Sequence, residues 1–443
     1  MSRAEIPAEV SPSYGGGAPG GEFVLLGIPD VNGSIRGKAL RPDAFDSAVL
    51  QGTVMTDLIL GLDPTDTPIA DYERFGIRTG AADLIVRPEP DTLRGLSWRP
   101  GWRVCLATPS WPDGSPCTLA SREVFRSVLE DVAALGQEVM SAIEYEIRIW
   151  DAQGDPMSSG ISYSLNEIGR YDRFLDELVP ALEGLRVELS AVHTEAGPGL
   201  LELNLGARRG IAPADDATLV KFAVKQVAAS MGLRASFLAK TVPGEEGSSG
   251  HIHMSLWNGA TNSFAAPDPA DLLPPVFTSA VAGVIEHLPA ASLLLNPTIN
   301  SYKRLVPGWF APINATWGYE NRSCAVRAIR SPRPELWRFE CRRPGADANP
   351  YLALAALAAS AADGIRRSAA PPDPIVGDAY ALDLPELPGS LESALRAFEE
   401  DGALRSALGE DFAEYYATSR AWELKAWRDT VTDWERERYD RSV

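Results

Sequence analysis

The sequence predicts an α+β protein with more than one domain. A chain of 443 residues is too long for a single compact core. Several short segments alternate apolar and polar residues with the period of a β-strand, whereas residues 214–232 and 348–366 carry the apolar pattern of buried or half-buried helices. The hydrophobic fraction of 45% and the charged fraction of 23% are typical of a globular protein with ample core material.

Composition restricts the possible partners. The net charge of -19 leaves no excess of Lys and Arg to neutralise phosphates, which argues against nucleic acid and anionic membranes as partners. The four cysteines contain no CxxC pair, so neither a zinc site nor a disulfide framework is indicated. The N-terminus lacks the pattern of a signal peptide and no run of eighteen apolar residues occurs. We therefore expect a soluble, cytoplasmic protein.

The elements of the first hundred residues follow from turn signals and apolar runs. Residues 1–21 contain the Gly/Pro/Ser-rich stretch "SPSYGGGAPGGE" and are predicted to form a flexible leader. A short buried strand then leads to a turn at Asn32-Gly33, and Arg36 and Lys38 are placed in a basic loop. Helix-like and loop segments are expected to extend to about residue 90.

A domain boundary is predicted where a Pro/Gly-rich connection follows a strand at 102–107. It divides the chain into an N-terminal domain, 22–112, and a larger domain, 113–443. A helix with 3.6-residue periodicity is expected near 120–135, and the segment from about 390 is expected to be helical.

The stretch "SAIEYEIRIW" places Glu144, Glu146 and Arg148 on one face of a predicted strand. Two carboxylates this close repel each other and raise each other's pKa unless a cation lies between them. Two interpretations are open at this point. The charged face either meets water, as in many antiparallel sheets, or holds a cation.

Three further predicted strands carry similar polar faces, which are His251, His253 and Ser255 in "HIHMSLW", Glu202 and Asn204 in "LLELNLG", and Arg338, Glu340 and Arg342 in "RFECRR". These faces contain no Lys and no Thr, yet use two of the only four histidines, which is unusual for a solvated surface. Carboxylates with an imidazole suit Mg²⁺ or Mn²⁺. Two such cations and several arginines would form a polyphosphate clamp, so the pattern predicts ATP chemistry without a P-loop. Locally hydrogen-bonded histidines and a basic surface loop at 321–330 remain the structural alternatives.

Five stretches resemble, in order and spacing, the motifs of the glutamine synthetase superfamily, namely "IEYEI" (143–147), "SGHIHMSLW" (249–257), "NPTINSYKRLVPG" (296–308), "NRSCAVR" (321–327) and "RFECRRPGADANPYLALAALAASAADGI" (338–365). The resemblance extends from about residue 22 to the C-terminus. It implies an N-terminal β-grasp domain and a catalytic domain built on a curved antiparallel sheet with flanking helices. It also implies homo-oligomeric rings, hexamers or double-ring dodecamers, with active sites between neighbouring subunits.

The resemblance implies a role for individual residues of this chain. The first divalent cation would be bound by Glu146, Glu195 and Glu202, and the second, next to the ATP phosphates, by Glu144, His251 and Glu340. ATP would be bound by His253, Ser255, Arg327 and Arg338, and the residues implied to be catalytic are Arg322, Arg342 and Arg304. The substrate would contact Arg304, Arg342, Glu246, Gly247, Trp309 and Phe310. The implied cofactors are ATP and Mg²⁺ or Mn²⁺, with two or more cations per site.

The implied reaction has two steps. The γ-carboxylate of glutamate attacks the γ-phosphorus of ATP to give an acyl phosphate, and an amine then displaces phosphate to form an amide. In family members that use ammonium, a glutamate in the loop after "YKRLVPG" takes a proton from ammonium, and here that position is Phe310, next to Trp309. An aromatic ring cannot accept this proton, but it can pack against an alkyl or aryl group.

In ammonium-using members the N-terminal loop also supplies an aspartate to the ammonium pocket. Here the alignment of that loop is loose, and Asp30 is only a weak candidate for this aspartate. We therefore predict an amide ligase for an amine larger than ammonium, resembling the γ-glutamyl-polyamine, ethanolamide, alkylamide or anilide synthetases. Two alternatives stay open: an authentic glutamine synthetase that uses ammonium, and a non-catalytic relative that only binds ligands.

Two departures concern the acid substrate, because Glu246 stands where the family has an asparagine and Leu200 stands where it has a glutamine. Glu246 either pairs with the ammonium group of the substrate or indicates an acid other than plain glutamate. Tyr380 lies near the tyrosine that bacterial relatives adenylylate, but its surroundings match poorly, so this form of control is not predicted.

Overall fold

The computed structural model describes residues 21–266 and 273–442. The predicted leader, 1–21, lies outside the described residues apart from Gly21. The described chain forms two β-sheets, with the helices packed mainly around the second. This arrangement confirms the predicted α+β class.

The first sheet has six strands, in the order β2-β1-β6-β4-β3 with β5 paired to β6. Its strands are β1 (Phe23–Pro29), β2 (Ile35–Leu40), β3 (Thr53–Thr56), β4 (Asp83–Pro88), β5 (Arg94–Gly95) and β6 (Trp102–Ser110), and helix α1 (Pro42–Gln51) follows β2. The β1–β6 pair is parallel and the other pairs are antiparallel.

Two expectations for this region are wrong. Arg36 and Lys38 lie in strand β2, paired along its whole length with β1, and not in a loop. The region up to residue 90 also contains β3 and β4. The first error has a physical reason: β2 is a partly exposed edge strand with two charged residues and a glycine, so backbone pairing forms it without an apolar alternation that sequence patterns detect. Strand β4, in contrast, alternates buried and more exposed residues, so its signal was present in the sequence.

The second sheet has ten strands, in the order β14-β15-β16-β12-β7-β9-β8, with β10 and β11 paired to β7 and β13 paired to β12. Its strands are β7 (Glu138–Trp150), β8 (Leu189–Thr194), β9 (Leu200–Leu205), β10 (Arg208–Arg209), β11 (Arg234–Ser236), β12 (Gly250–Asn258), β13 (Thr261–Asn262), β14 (Trp317–Tyr319), β15 (Val326–Ile329) and β16 (Arg338–Cys341). All pairs are antiparallel except β14–β15. The four strands with predicted polar faces, β16, β12, β7 and β9, are consecutive neighbours.

The strand register places the polar residues opposite one another. His251 pairs with Glu144, and Glu146 pairs with Glu202. On the other side of β12, His253 pairs with Glu340. Directly paired residues point to the same face of a sheet, so the four polar faces merge into one surface.

The remaining helices are α2 (Ser121–Ala133), α3 (Leu165–Ile168), α4 (Asp172–Gly184), α5 (Ala212–Ser230), α6 (Pro275–Leu295), α7 (Pro350–Arg367), α8 (Leu391–Glu400), α9 (Gly402–Leu408), α10 (Glu410–Arg428) and α11 (Asp433–Tyr439). Helix α6 is long and apolar enough to cross a membrane, but 83% of its apolar window is buried inside the protein, as expected of a core helix. Helices α6 and α7 cross at Gly283 and Gly364. A Cβ at Gly283 would lie 2.7 Å from the Gly364 nitrogen, so the close crossing requires glycine.

The side chain of Asn349 connects the two parts of the molecule. Its amide oxygen accepts hydrogen bonds from the backbone N–H groups of Tyr351 and Leu352, which caps helix α7. Its amide nitrogen donates to the Asp30 carbonyl in the β1–β2 turn, at 2.9 Å. The last strand of the first sheet, β6, ends at Ser110, close to the predicted boundary at 112/113, which stays a prediction as a domain limit.

A second buried polar contact joins three helices. His287 of α6 contacts the Asp401 carboxylate through Nδ1 at 2.7 Å and the Asp363 carboxylate through Nε2 at 3.0 Å. Burial alone would lower the pKa of His287, but its hydrogen bonds to the Asp401 and Asp363 carboxylates raise it. Asp363 also receives a hydrogen bond from Arg367, which bonds Glu286 as well, and Asp401 caps helix α9.

This contact predicts a stability that depends on pH. Because the folded pKa of His287 is raised, its contribution is complete below the unfolded pKa of about 6.5 and is lost as pH rises through the folded value. We expect His287→Gln to lower the free energy of unfolding by about 1.5–3 kcal/mol near pH 6, and by less at pH 9. Chemical denaturation of both proteins at each pH measures the difference, and a difference independent of pH would contradict the assignment.

Candidate active site

A cavity of about 890 Å³ opens over the merged polar faces of β7, β9, β12 and β16. Sixteen of the seventeen predicted site residues line it, namely Glu144, Glu146, Glu195, Glu202, Glu246, Gly247, His251, His253, Arg304, Trp309, Phe310, Arg322, Arg327, Arg338, Glu340 and Arg342. Ser255 is not among the lining residues, and its hydroxyl accepts a hydrogen bond from Trp257 Nε1 at 3.0 Å. The paired carboxylates of β7 therefore face a shared cavity and not an open sheet surface.

One group of possible metal ligands lies at the β8–β9 side of the cavity. It consists of His193, Glu195 and Glu202, whose ligand atoms lie within 4.8 Å of one another. His193 Nε2 is 2.8 Å from Glu195 Oε1 and 3.5 Å from Glu202 Oε1. Glu146, the third predicted ligand of this cation, lines the cavity opposite Glu202 and accepts a hydrogen bond from the Ser249 backbone N–H at 2.7 Å.

Sequence reasoning missed His193. It precedes Glu195 by two residues, and the alternation that located the other polar faces also applies to "VHTE". The signal was therefore present, although His193 lies at the edge strand β8 and only one strand residue follows it.

Burial and neighbouring charges disfavour ionised carboxylates in this group. Burial raises the pKa of Glu202, and the nearby charges of Glu146 and Glu144 raise it further. Burial and the charge of Glu195 likewise raise the pKa of Glu146. A divalent cation would relieve this repulsion, because it interacts with all of these oxygens at once. The donor set of carboxylates and one imidazole fits Mg²⁺ or Mn²⁺.

A second group of possible ligands lies between β7, β12 and β16. It consists of Glu144, His253 and Glu340, and His253 Nε2 lies 3.0 Å from Glu144 Oε1. The residue predicted as the ligand, His251, has its Nδ1 3.5 Å from Glu340 Oε1. Among the described residues, the buried Nε2 of His251 has no hydrogen-bond partner. The two imidazoles thus adjoin different carboxylates of this group, His253 that of Glu144 and His251 that of Glu340, and the assignment of His251 to the cation stays a prediction.

Arginines surround this second group. Glu340 accepts hydrogen bonds from Arg342 Nη1 at 2.5 Å and from Arg327 Nη1 at 3.0 Å. Burial alone would raise the pKa of Glu340, but Arg342 and the neighbouring histidines lower it well below its usual range. Arg338 Nε lies 3.0 Å from His253 Nδ1, and Arg342 Nε donates to the Arg322 carbonyl. Positive charge is therefore concentrated at this end, which suits the phosphates of a nucleotide.

The pKa of Glu144 shows the same influence. Burial would raise it, but the charge and hydrogen bond of His253 lower the pKa of Glu144 to about 2. The cavity thus has two chemically different ends. At the end next to β8, the pKa values of Glu146 and Glu202 are raised, whereas at the end next to β16 those of Glu144 and Glu340 are lowered.

The acid-binding candidates lie around Gly247. A Cβ at this position would lie 2.5 Å from Arg304 Cγ, so only glycine allows the loop to pack against that arginine. Arg304 is buried and donates to the Arg343 carbonyl at 2.5 Å. Burial and the charges of Glu146 and Glu195 raise the pKa of Glu246 to about 7. A carboxyl group and a guanidinium thus flank Gly247 in the cavity wall.

Aromatic residues occupy the rim of the cavity. Phe310 is 56% exposed and has a left-handed φ of 52°, directly after Gly308 and Trp309. Tyr163, which sequence reasoning missed, is 70% exposed and stacks on His193 with ring centroids 4.3 Å apart. The motif patterns gave no signal for Tyr163, because it lies in a loop and reaches the cavity through the course of the backbone.

Two further residues discussed in the sequence lie apart from this lining. The Asp30 carboxylate is buried and bonds Arg36 Nε at 2.7 Å and the N–H groups of Asn32 and Ser34, so its hydrogen bonds are made within its own turn. The hydroxyl oxygen of Tyr380 is buried, and the expectation about adenylylation at this residue stays a prediction.

The carboxylate-rich and arginine-rich ends of this cavity, built on an antiparallel sheet, suit an ATP-dependent acid–amine ligase. The family model "Glutamine synthetase, catalytic domain" matches residues 118–439, and the chain belongs to the glutamine synthetase family. The predicted superfamily and the predicted enzyme class are therefore confirmed.

Several relatives match over nearly the whole chain. A glutamate–isopropylamine ligase from Pseudomonas sp. is 33% identical, covering 94% of this chain and 95% of its own length. A gamma-glutamylethanolamide synthetase from Streptomyces coelicolor is 32% identical, with coverages of 94% and 91%. A glutamine synthetase from Thermus thermophilus is also 32% identical, with coverages of 94% and 95%. A solved structure of a GmaS/ADP complex superposes with a TM-score of 0.83 at 28% identity, covering 94% of this chain and 96% of that one.

The predicted cation sites lead to a binding prediction. We expect Glu340→Gln to weaken Mn²⁺ binding at one site by about 10-fold or more, because the substitution removes an ionised ligand oxygen and its charge. Calorimetric titration of the purified protein with Mn²⁺ measures this change. Glu320→Gln is the matched control, because Glu320 also bonds Arg327 but does not line the cavity. Equal Mn²⁺ affinity in wild type and Glu340→Gln would contradict the assignment.

Proposed function

We propose that this protein joins the γ-carboxyl group of glutamate, activated as a γ-glutamyl phosphate, to a primary amine larger than ammonium. The observation that carries the proposal is Phe310, an exposed aromatic side chain at the cavity rim where ammonium-using relatives have a proton-accepting glutamate. Two relatives are named for amides of isopropylamine and ethanolamine, which supports a substituted amine as substrate.

In the proposed mechanism, ATP and glutamate, the substrates of the first step, bind at opposite ends of the cavity. Arg322, Arg327 and Arg338 bind the phosphates of ATP next to the second group of ligands. Arg304 binds the α-carboxylate of glutamate, and Glu246 accepts a hydrogen bond from its α-ammonium group. Two divalent cations, Mg²⁺ or Mn²⁺, would neutralise phosphate charge when bound at the two groups of ligands. Arg342 orients the acyl phosphate for attack by the amine.

The aromatic rim has two proposed tasks. The ring of Phe310 packs against the alkyl or aryl substituent of the amine, and Trp309 shields the acyl phosphate from water. Water exclusion is necessary because hydrolysis of the acyl phosphate would release the activated acid unused. An apolar rim serves both tasks, whereas a carboxylate there would favour a small cation.

The proposal extends to assembly and location. We propose homo-oligomeric rings of the family type in the cytoplasm. Exposed Trp427 and Trp434 of the C-terminal helices, with Val431 between them, offer an apolar surface for contacts between subunits.

The main alternative is an authentic glutamine synthetase. The Thermus relative, at nearly the same identity as the two amine ligases, favours this alternative. A non-catalytic binding protein is disfavoured by the number of possible cation ligands in the cavity, since a binding module has no need for two cation sites.

The deciding experiment is an assay of wild-type enzyme with ATP, Mg²⁺ and glutamate against a panel of nucleophiles. The panel contains ammonium, alkylamines, ethanolamine, diamines and anilines, and phosphate release and product mass are measured together. We expect a substituted amine to give the highest kcat/KM. Glutamine as the best product would overturn the proposal. Metal-dependent ATP turnover without any nucleophile would exclude the non-catalytic alternative but would leave the amine unidentified.

Phe310→Glu provides a second test. The new carboxylate would accept a proton from ammonium, so we expect the ratio of kcat/KM for ammonium to kcat/KM for the preferred amine to rise about 10-fold or more. Phe310→Leu, which remains apolar, is the control and is expected to leave ammonium use low. Steady-state assays of glutamine and amide formation measure both ratios, and an unchanged ratio in Phe310→Glu would argue against a role of this position in amine choice.

A further inference from the structure

We propose that Lys240 is a positioning residue that holds Trp309 and thereby sets the amine selectivity of the site. The inference rests on the proposed function. It concerns two loops of the cavity wall: the acid loop, 241–249, which carries Glu246 and Gly247, and the amine loop, 305–313, which carries Trp309 and Phe310. Lys240 directly precedes the acid loop and contacts both.

The contacts of Lys240 reach three parts of the site. Its ammonium group donates to the Glu245 carbonyl in the acid loop and lies 4.1 Å from the centroid of the Trp309 ring in the amine loop. Its backbone N–H donates to Asn300 Oδ1 and its carbonyl accepts from Asn300 Nδ2, each at 2.8 Å. Asn300 precedes Arg304 by four residues, so Lys240 is tied to the segment that presents this arginine.

The acid loop is held firmly without Lys240. Arg148, the buried third member of the polar face of β7, bonds the Glu245 carboxylate and donates to the Glu246 carbonyl at 2.9 Å. The Ser248 N–H donates to the Ala239 carbonyl at 2.8 Å. These bonds fix the backbone next to Lys240, and its side chain extends from there to Trp309.

In the amine loop, the Trp309 N–H donates to the Val306 carbonyl at 3.2 Å, and Lys240 contacts the Trp309 ring. Phe310 has a left-handed backbone conformation that costs energy for a residue with a Cβ, so its surroundings must maintain it. After Phe310, Arg343 Nη1 fixes the loop by donating to the Pro312 carbonyl at 2.8 Å. Before Phe310, the ammonium group of Lys240 lies against the face of Trp309, where cation–π attraction favours a fixed ring position.

The contacts lead to unequal effects on the two substrates. Removal of the Lys240 cation frees Trp309 and, with it, the neighbouring Phe310, so the amine is held less well. The acid loop keeps its bonds to Arg148, so glutamate is held almost as before. A general loss of fold would instead affect both substrates and the melting temperature.

The test uses Lys240→Met, which keeps the length of the stem but removes the charge, and Lys240→Arg, which restores a cation. We expect Lys240→Met to raise KM for the preferred amine about 5–10-fold, with KM for glutamate and the melting temperature nearly unchanged, and Lys240→Arg to recover most of the loss. Lys225→Met, at an exposed position of α5, is the control for removal of a lysine.

A double-mutant cycle with Trp309→Leu shows whether Lys240 acts through the ring. We expect Lys240→Met to change KM for the amine less than about twofold in the Trp309→Leu background, because the contact is already absent. Independent, multiplying effects would overturn the inference, as would an unchanged amine KM or an equal rise in both KM values. If wild type forms no amide from any substituted amine, the proposed function fails. If it does and Lys240→Met has the wild-type amine KM, only this inference fails.

Discussion

Electrostatic repulsion within one cavity is the constraint on which the rest of this structure depends. The register of the large sheet brings carboxylates from β7, β9 and β16 to one surface, where Glu146 pairs directly with Glu202. Such an arrangement is unfavourable for the apoprotein, because buried like charges raise each other's pKa. The protein tolerates it where counter-charges are available, and the arginines around Glu340 supply them at one end only.

The two ends of the cavity differ in how the charge of their carboxylates is compensated, so the cavity is electrostatically asymmetric. At the end next to β16, Arg327 and Arg342 bond Glu340 directly, so its charge is compensated by the protein itself. At the end next to β8, His193 lies beside Glu195 and Glu202, and the neutral amide of Asn204 donates to Glu202 at 2.8 Å. Polyphosphate, which needs positive groups, fits the first end, and the second end depends more strongly on an added cation. In the proposed mechanism, the order in which ATP and glutamate lie along the cavity follows from this distribution of charge.

The sequence was sufficient to identify the polar faces, because alternation with a period of two survives in any strand whose one face is buried. It could not show that β16, β12, β7 and β9 are consecutive, since strand order arises from pairing between distant segments. The edge strand β2 was missed because backbone pairing, not side-chain burial, forms it. Tyr163 lies in a loop with no periodic signal, and the proximity of His253 to Glu144 depends on side-chain conformations that no spacing rule contains.

The amide of Asn349 has a consequence for how the molecule responds to heat. The Asn349 side chain caps the N-terminus of the central helix α7 through its amide oxygen. Its amide nitrogen donates a hydrogen bond to the β1–β2 turn. Neither half of this connection can open without disturbing the other, because rotation of the amide breaks both sets of bonds together. We therefore expect thermal motion that loosens the small sheet to be transmitted to the start of a helix in the middle of the large core, so that the two regions unfold together.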